Sequence, residues 1–180
     1  MTSPTPPAIT EPRRRPSPLS GADRAALPEK GNGMPGTEGG LIRGLEGVVA
    51  ATTRLCDLDG VNGRLAYQGY AIEDLARHAS FEEVVWLLWQ GELPREADLA
   101  TFRKELAEAA PLPPDAVKAL KLLPKTMHPM RMLQMGVALL GGLDPDAEDN
   151  SPDANRRKAT RLVARVPSLT TAFHRIRNGR

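Results

Sequence analysis

From Gly69 onward the sequence is divided at short intervals by start and stop signals for helices, and this punctuation constrains the fold more than any other feature. Ala71 to His78 reads as a short helix ending near Ala79. Ser80 stands three residues ahead of Glu83, the spacing at which each side chain satisfies the other's exposed backbone donor. The helix it opens carries Phe81, Val84, Val85, Leu87 and Leu88, with Trp86 and Trp89 widening the apolar stripe. So wide a stripe predicts a buried helix. Gly91 supplies the stop, and Pro94 prevents continuation.

The next helix, Arg95 to Ala109, places Leu99, Phe102 and Leu106 on one face and reads as half-exposed. Pro113-Pro114 introduces a short helix carrying Val117 and Leu120. Pro129 suits the first turn of another helix, where a missing N–H costs nothing. That helix carries Met130, Leu133, Val137 and Leu140 in one register, and Gly136 permits close approach by a neighbouring helix. Gly141-Gly142 ends it. After a polar loop from Asp144 to Ser151, a long helix runs from Asp153 towards Arg177. Its apolar positions are Ala159, Leu162, Val163, Val166, Leu169, Phe173 and Ile176. Pro167 lies inside it and is expected to bend it.

Upstream the character differs. Residues 1–40 hold eight prolines and a glycine-rich stretch, Gly31 to Gly40, with few large apolar side chains. Such a segment reads as a disordered tail, a dispensable extension or a docking arm. Residues 41–180 form the folded portion. Within it, Val48 to Cys56 is rich in small and β-branched residues and reads as a strand. The turn cluster Asp59-Gly60-Val61-Asn62-Gly63 then returns Arg64-Leu65-Ala66-Tyr67 as its hairpin partner. The fold class is therefore mainly α: a multi-helix bundle with a small N-terminal β-hairpin and a disordered N-terminal tail. No internal repeat or sustained heptad is present.

Aromatic residues make up only 4% of the chain, so aliphatic side chains must supply most of the core. The single cysteine, Cys56, cannot form an internal disulfide, which suits a reducing cytoplasm. No apolar run reaches bilayer length. Arg13-Arg14-Arg15 is followed by Pro16 and Pro18 where a signal peptide needs an apolar stretch, so no export signal is read.

The net charge of +2 conceals an uneven distribution. Residues 154–180 hold eight basic residues and no acid, while residues 41–153 hold eleven basic against eighteen acidic residues. A basic terminal segment can meet nucleic acid, bind an anionic ligand, or pair with the acidic remainder. No nucleic-acid reading motif accompanies it, so nucleic acid is set aside as the weaker reading.

The search for chemistry returns little. Phosphate-binding glycine loops, cysteine clusters and HExxH are absent. His78, His128 and His174 lie too far apart in sequence for a helical metal pair. His78 reads as serving terminal carbonyls of a helix, and His128 as hydrogen-bonding at a helix start. His174 stands among Arg175 and Arg177, at a surface or an anion contact. Asp57 and Asp59 flank a turn, where aspartate accepts from the backbone. No catalytic, cofactor-binding or metal residue is assigned.

Several stretches in order nevertheless resemble the citrate synthase family, including 2-methylcitrate synthases. They are Gly44-Leu45-Glu46-Gly47-Val48-Val49-Ala50-Ala51-Thr52, Asp59-Gly60 and Gly63-Arg64-Leu65, then Tyr67-Gln68-Gly69-Tyr70 with Ile72-Glu73-Asp74-Leu75-Ala76. Ser80-Phe81-Glu82-Glu83-Val84 with Gly91-Glu92-Leu93-Pro94, Met127-His128-Pro129-Met130, and Ala172-Phe173-His174-Arg175-Ile176-Arg177-Asn178-Gly179 complete the set. Gln68 stands where the family usually has arginine.

The resemblance implies the N-terminal helical part of a large domain of the citrate synthase type. In the family, the catalytic histidines and aspartate, and the arginines that bind substrate carboxylates, all lie downstream of this portion. By that resemblance the chain alone is expected to be catalytically silent, with acetyl-CoA and oxaloacetate as substrates once completed and no further cofactor. The resemblance also places the helix opened by His128-Pro129 and the long helix after it at or near a subunit interface. The expected partner is a chain carrying the C-terminal catalytic half or a homologous citrate synthase subunit, with no membrane. The competing reading is a non-catalytic interaction module, or a truncated relic, that binds a full-length citrate synthase. Acetyl-CoA and propionyl-CoA are not separated.

Overall fold

The computed structural model describes residues 14–20 and 53–180. Two compact units divide the chain, Met1–Arg95 and Glu96–Arg180.

In the first unit, β1 (Cys56–Asp59), β2 (Arg64–Tyr67) and β3 (Tyr70–Ala71) form an antiparallel sheet in that order. Cys56 faces Tyr67 and Asp59 faces Arg64 across the first pair. The turn between them is built by Asp59, whose Oδ1 accepts the Val61 and Asn62 amides, both at 3.1 Å. Its Oδ2 accepts from Asn62 Nδ2 at 2.6 Å. The Asn62 side chain, then its amide, holds the Asp59 carboxyl below the usual carboxylate range.

The structure differs from the expected hairpin in two ways. Of the stretch read as the first strand, Val48 to Thr52 lies outside the described residues, and β1 begins only at Cys56. A third strand also follows, paired through Tyr67 and Tyr70. It escapes a sequence reading because it is two residues long and its loop, Gln68-Gly69, lacks the usual Asn-Gly or Asp-Gly signal. Both loop residues have positive φ, 49° and 82°, the condition for the twist-matching two-residue turn.

Helix α1 (Ile72–His78) follows the sheet directly, and its Leu75 is buried. Helix α2 (Phe81–Gln90) opens with the expected capping box: Ser80 N–H donates to Glu83 Oε2 at 2.7 Å, and Glu83 N–H to Ser80 Oγ at 3.4 Å. Gly91 closes it with φ 87°. The helix is not buried around its circumference, however. Val85 and Leu87 are covered, whereas Phe81, in the first turn, is 64% exposed. The remaining apolar positions, Val84, Trp86, Leu88 and Trp89, are half-buried.

The second unit holds α3 (Glu96–Ala109), α4 (Pro114–Leu122), α5 (Pro129–Gly142) and α6 (Pro152–Arg177). Helix α6 touches each of the other three and is the spine of the unit. Ser151 caps it by accepting the Ala154 amide at 3.3 Å. Its helical assignment runs unbroken through Pro167, an exposed position where the lost N–H leaves one carbonyl of the preceding turn without its usual partner.

The core consists of Ala116 and Leu120 from α4, Met132 and Leu140 from α5, and Leu169 and Phe173 from α6. Each large side chain so buried stabilises the fold by roughly 1.5–3 kcal/mol. Gly136 lies between Met132 and Leu140 on the covered face of α5, where a Cβ would stand 3.1 Å from Leu169 Cδ1. The close approach expected at Gly136 is therefore made within the chain, by α6. The register expected for α5 is corrected: Met130 is 63% exposed, and Leu133 and Val137 are only half-buried. Apolar residues occupy both sides of α5, and packing against α6 selected the side with the glycine.

Two substitutions test these contacts. Gly136→Val is expected to destabilise by about 1–3 kcal/mol, because the added branch must displace Leu169. A urea midpoint unchanged from the wild type would refute the contact. At the loop, Gln68→Asn should raise stability by up to about 1 kcal/mol and Gln68→Val should lower it by about 1–2 kcal/mol, since left-handed backbone tolerates Asn and penalises β-branching. Equal midpoints for the two variants would remove the strain assigned to position 68.

Candidate functional site

Charge is concentrated where the loop after α5 meets the first half of α6. Arg157 and Arg161 lie four residues apart and so share one helix face. Arg161 grips Asp144 with two parallel bonds, Nε to Oδ2 at 2.8 Å and Nη2 to Oδ1 at 2.7 Å, and its Nη2 also reaches Asp146 Oδ2. Arg157 makes the matching pair to Asp146, at 3.0 and 2.6 Å. The Asp146 amide closes the loop by donating to Asp144 Oδ1 at 2.9 Å. Arg161 and Asp144 are largely covered, with side chains 17% and 9% exposed.

Two-point guanidinium–carboxylate pairs of this kind are both stronger and more directional than single contacts. Burial is the largest influence on the Asp144 carboxyl and raises its pKa, but the Arg161 bonds and the Asp146 amide outweigh it and hold it below the usual carboxylate range. Asp146 is driven far lower, by Arg157 first and Arg161 second.

Beside this cluster is a recess of about 310 Å³ lined by Leu140, Asp144, Lys158, Arg161, Leu162 and Arg165. Its cations are already committed. Lys158 Nζ donates to the Asp149 carbonyl at 2.6 Å, and Arg165 Nε to the Ala109 carbonyl at 3.1 Å. Further along, the Arg177 guanidinium lies over the Phe173 ring, 5.7 Å from its centroid. Arg157 and Arg161 thus pair with acids of the chain, and Lys158 and Arg165 with its carbonyls. That arrangement braces the first half of α6, while Arg175 and Arg180 near its end are exposed.

The histidines hold three separate places. His78 Nδ1 lies 2.8 Å from Asp74 Oδ1 and 3.1 Å from the Asp74 carbonyl, close to the helix-end role read from sequence. His128 caps α5, its Nδ1 accepting the Met130 amide at 3.2 Å. His174 is exposed on the last turns of α6. Asp59 serves its turn, and Cys56 is exposed. Among the described residues, no group of three or more His, Cys, Asp or Glu could hold a metal ion. No described helix is long and apolar enough to cross a membrane.

The small sheet leading into a series of helices, with the long α6 as spine, finds its counterparts among known proteins. Residues 44–180 match the family model described as citrate synthase, C-terminal domain. The chain belongs to the citrate synthase family. It is 44% identical over 138 residues to citrate synthase 2 of Bacillus subtilis, covering 76% of this chain and 37% of that protein. With the citrate/2-methylcitrate synthase of the same organism it shares 38% identity, over 75% of this chain and 36% of the relative. The crystal structure of citrate synthase from Thermotoga maritima superposes with a TM-score of 0.66 at 33% identity, over 77% of this chain and 35% of that one. The chain therefore spans a little over a third of the length of the relatives it matches.

The charge cluster carries a pH prediction. Asp144 and Asp146 have carboxyls depressed below the ordinary value of 3.8, so their contribution is present above that value and is lost as pH falls through the lowered values. Arg161→Gln should lower the melting temperature near neutral pH, with the gap from wild type narrowing as the medium is acidified below the usual carboxylate range. A gap that stays constant through acidification would show that the pairs contribute nothing to stability.

Proposed function

We propose that this chain is the N-terminal helical portion of a citrate synthase, the acyltransferase that condenses acetyl-CoA with oxaloacetate to release citrate and CoA in the tricarboxylic acid cycle. In this reading it becomes active only when a polypeptide carrying the remaining family sequence completes it. The segments from Gly44 through Gly179 support the N-terminal placement by their order, whatever domain label the family model bears.

One observation carries the reading: the family match takes in both units, at 44% identity to a citrate synthase of which it covers 37%. Enolate formation from a thioester needs a positioned base together with a stabiliser for the developing oxyanion. The described histidines are instead placed beside Asp74, at the α5 cap, and on the exposed side of α6. The chain's own share is then the scaffold, α5 and α6 above all. Exposed or half-covered Met130, Leu133, Val137 and Leu162 on those helices supply apolar surface for the completing polypeptide or a second subunit. The cytoplasm, where acetyl-CoA and a reduced Cys56 coexist, is the proposed setting.

The test is oxaloacetate-dependent release of CoA thiol from acetyl-CoA, assayed first on the purified chain and then on material isolated gently from its own host. The expected result is no turnover alone, and turnover that follows a co-purifying second chain. Turnover by the purified chain alone would overturn the proposal. Soluble association with an intact citrate synthase, without added activity, would replace it with a non-catalytic interaction module.

A further inference from the structure

Within the Met1–Arg95 unit, residues 14–20 lie against the β2–β3 loop and α1, although thirty-two residues separate them from the next described position. Pro16 is buried between exposed Arg15 and Ser17. Ser17 N–H donates to Asp74 Oδ2 at 2.9 Å, and Leu19 N–H to the Gly69 carbonyl at 2.7 Å. Donors two residues apart, both taken up by this one site, fit an extended segment. The intervening Pro18 and the preceding Pro16 have no N–H at all. Every backbone donor from Pro16 to Leu19 is thus satisfied, and the prolines restrict the segment's backbone before it docks.

The receiving surface is equally defined. Asp74 is steadied through its other oxygen, Oδ1, which lies 2.8 Å from His78 Nδ1. The Ser17 amide is the main influence holding its carboxyl below the usual range, and Arg14 adds attraction. Leu19 lines a recess of about 180 Å³ with Arg64, Leu65, Ala71 and Glu73. Gly69, in the positive-φ loop between β2 and β3, offers its carbonyl to the Leu19 amide.

We propose that Asp74, the Gly69 carbonyl and the surface beside Leu19 form a peptide-docking seat that selects an extended segment of the pattern basic–x–Pro–x–Pro–apolar, and that the chain's own residues 14–20 are its tethered occupant. The residue x between the prolines must carry an N–H, the apolar residue stands at the wall of the recess beside Arg64, Leu65, Ala71 and Glu73, and the carboxylate favours a basic residue two positions before the first proline. The seat is independent of whether the chain completes an enzyme.

Hydrogen exchange on the full-length chain tests this. The Ser17 and Leu19 amides should exchange roughly tenfold or more slowly than in a free peptide of the same sequence. Asp74→Ala should abolish that protection while the Ala79 amide, bonded to Leu75 within the same unit, stays protected. Should Asp74→Ala disturb α1, Ser17→Pro removes the donor while leaving α1 unaltered and should likewise release Leu19. Excess synthetic peptide copying residues 12–21 should displace the tethered segment and expose the chain's own Leu19 amide, whereas the same peptide with Leu19→Ala should not. Free-peptide exchange in the wild type would overturn the seat, as would Leu19 protection that survives both substitutions. Protection unaffected by the peptide would overturn its capacity to take an occupant in trans.

Discussion

The second unit depends on the contact between Leu169 and the bare backbone at Gly136. A long helix can organise three others only if one of them comes close enough to fix its rotation. A glycine on α5 provides that approach, since Leu169 fills the space that a side chain would occupy. Met132 and Leu140, one turn to either side, then meet α6 on the same line. Ala116 and Leu120 of α4 complete the cluster around Phe173. The surface left over on α5 follows from the same choice: once Gly136 faces α6, Leu133 and Val137 are turned towards the edge of the contact.

The opposite half of α6 is fixed by charge. Two arginines on one helix face hold two aspartates of the preceding loop, and the loop's own amide ties the aspartates together. Covered carboxylates of this kind are costly unless fully bonded. Here each finds a two-point partner, so a loop without regular structure acquires a defined path. The same pairs draw on the lopsided charge of the sequence. Arg157 and Arg161 from the basic last segment and Asp144 and Asp146 from the acidic part before it meet in one local structure.

Much of this was legible beforehand, and the unread parts have physical reasons. The Ser80–Glu83 capping box, the Gly91 stop and the Pro129 helix start are local chemistry, written within a few residues of where they act. The covered face of α5 was not legible, because Met130, Met132, Leu133, Met135, Val137, Leu139 and Leu140 offer two apolar faces and periodicity alone cannot choose between them. Strand β3 is too short to leave a pattern. The partners of Arg161 lie across a loop, so their identity rests on tertiary geometry, although the charge imbalance hinted at pairing. The seating of Pro16 and Leu19 depends on a carbonyl and a carboxylate some fifty residues away, beyond any local signal. As for catalysis, the histidines read as structural from their neighbours are placed in structural positions, at a helix end and a helix cap.

Helix α6 therefore has a fixed internal length. Arg161, held by the loop aspartates, and Leu169, seated on Gly136, are separated by eight positions on one continuous helix. Adding or removing a single residue between them would rotate one anchor by about 100° relative to the other, so both could not be kept. Relatives sharing both anchors should accordingly place their insertions and deletions before Arg161 or after Leu169, and tolerate changes of residue but not of count in the span between.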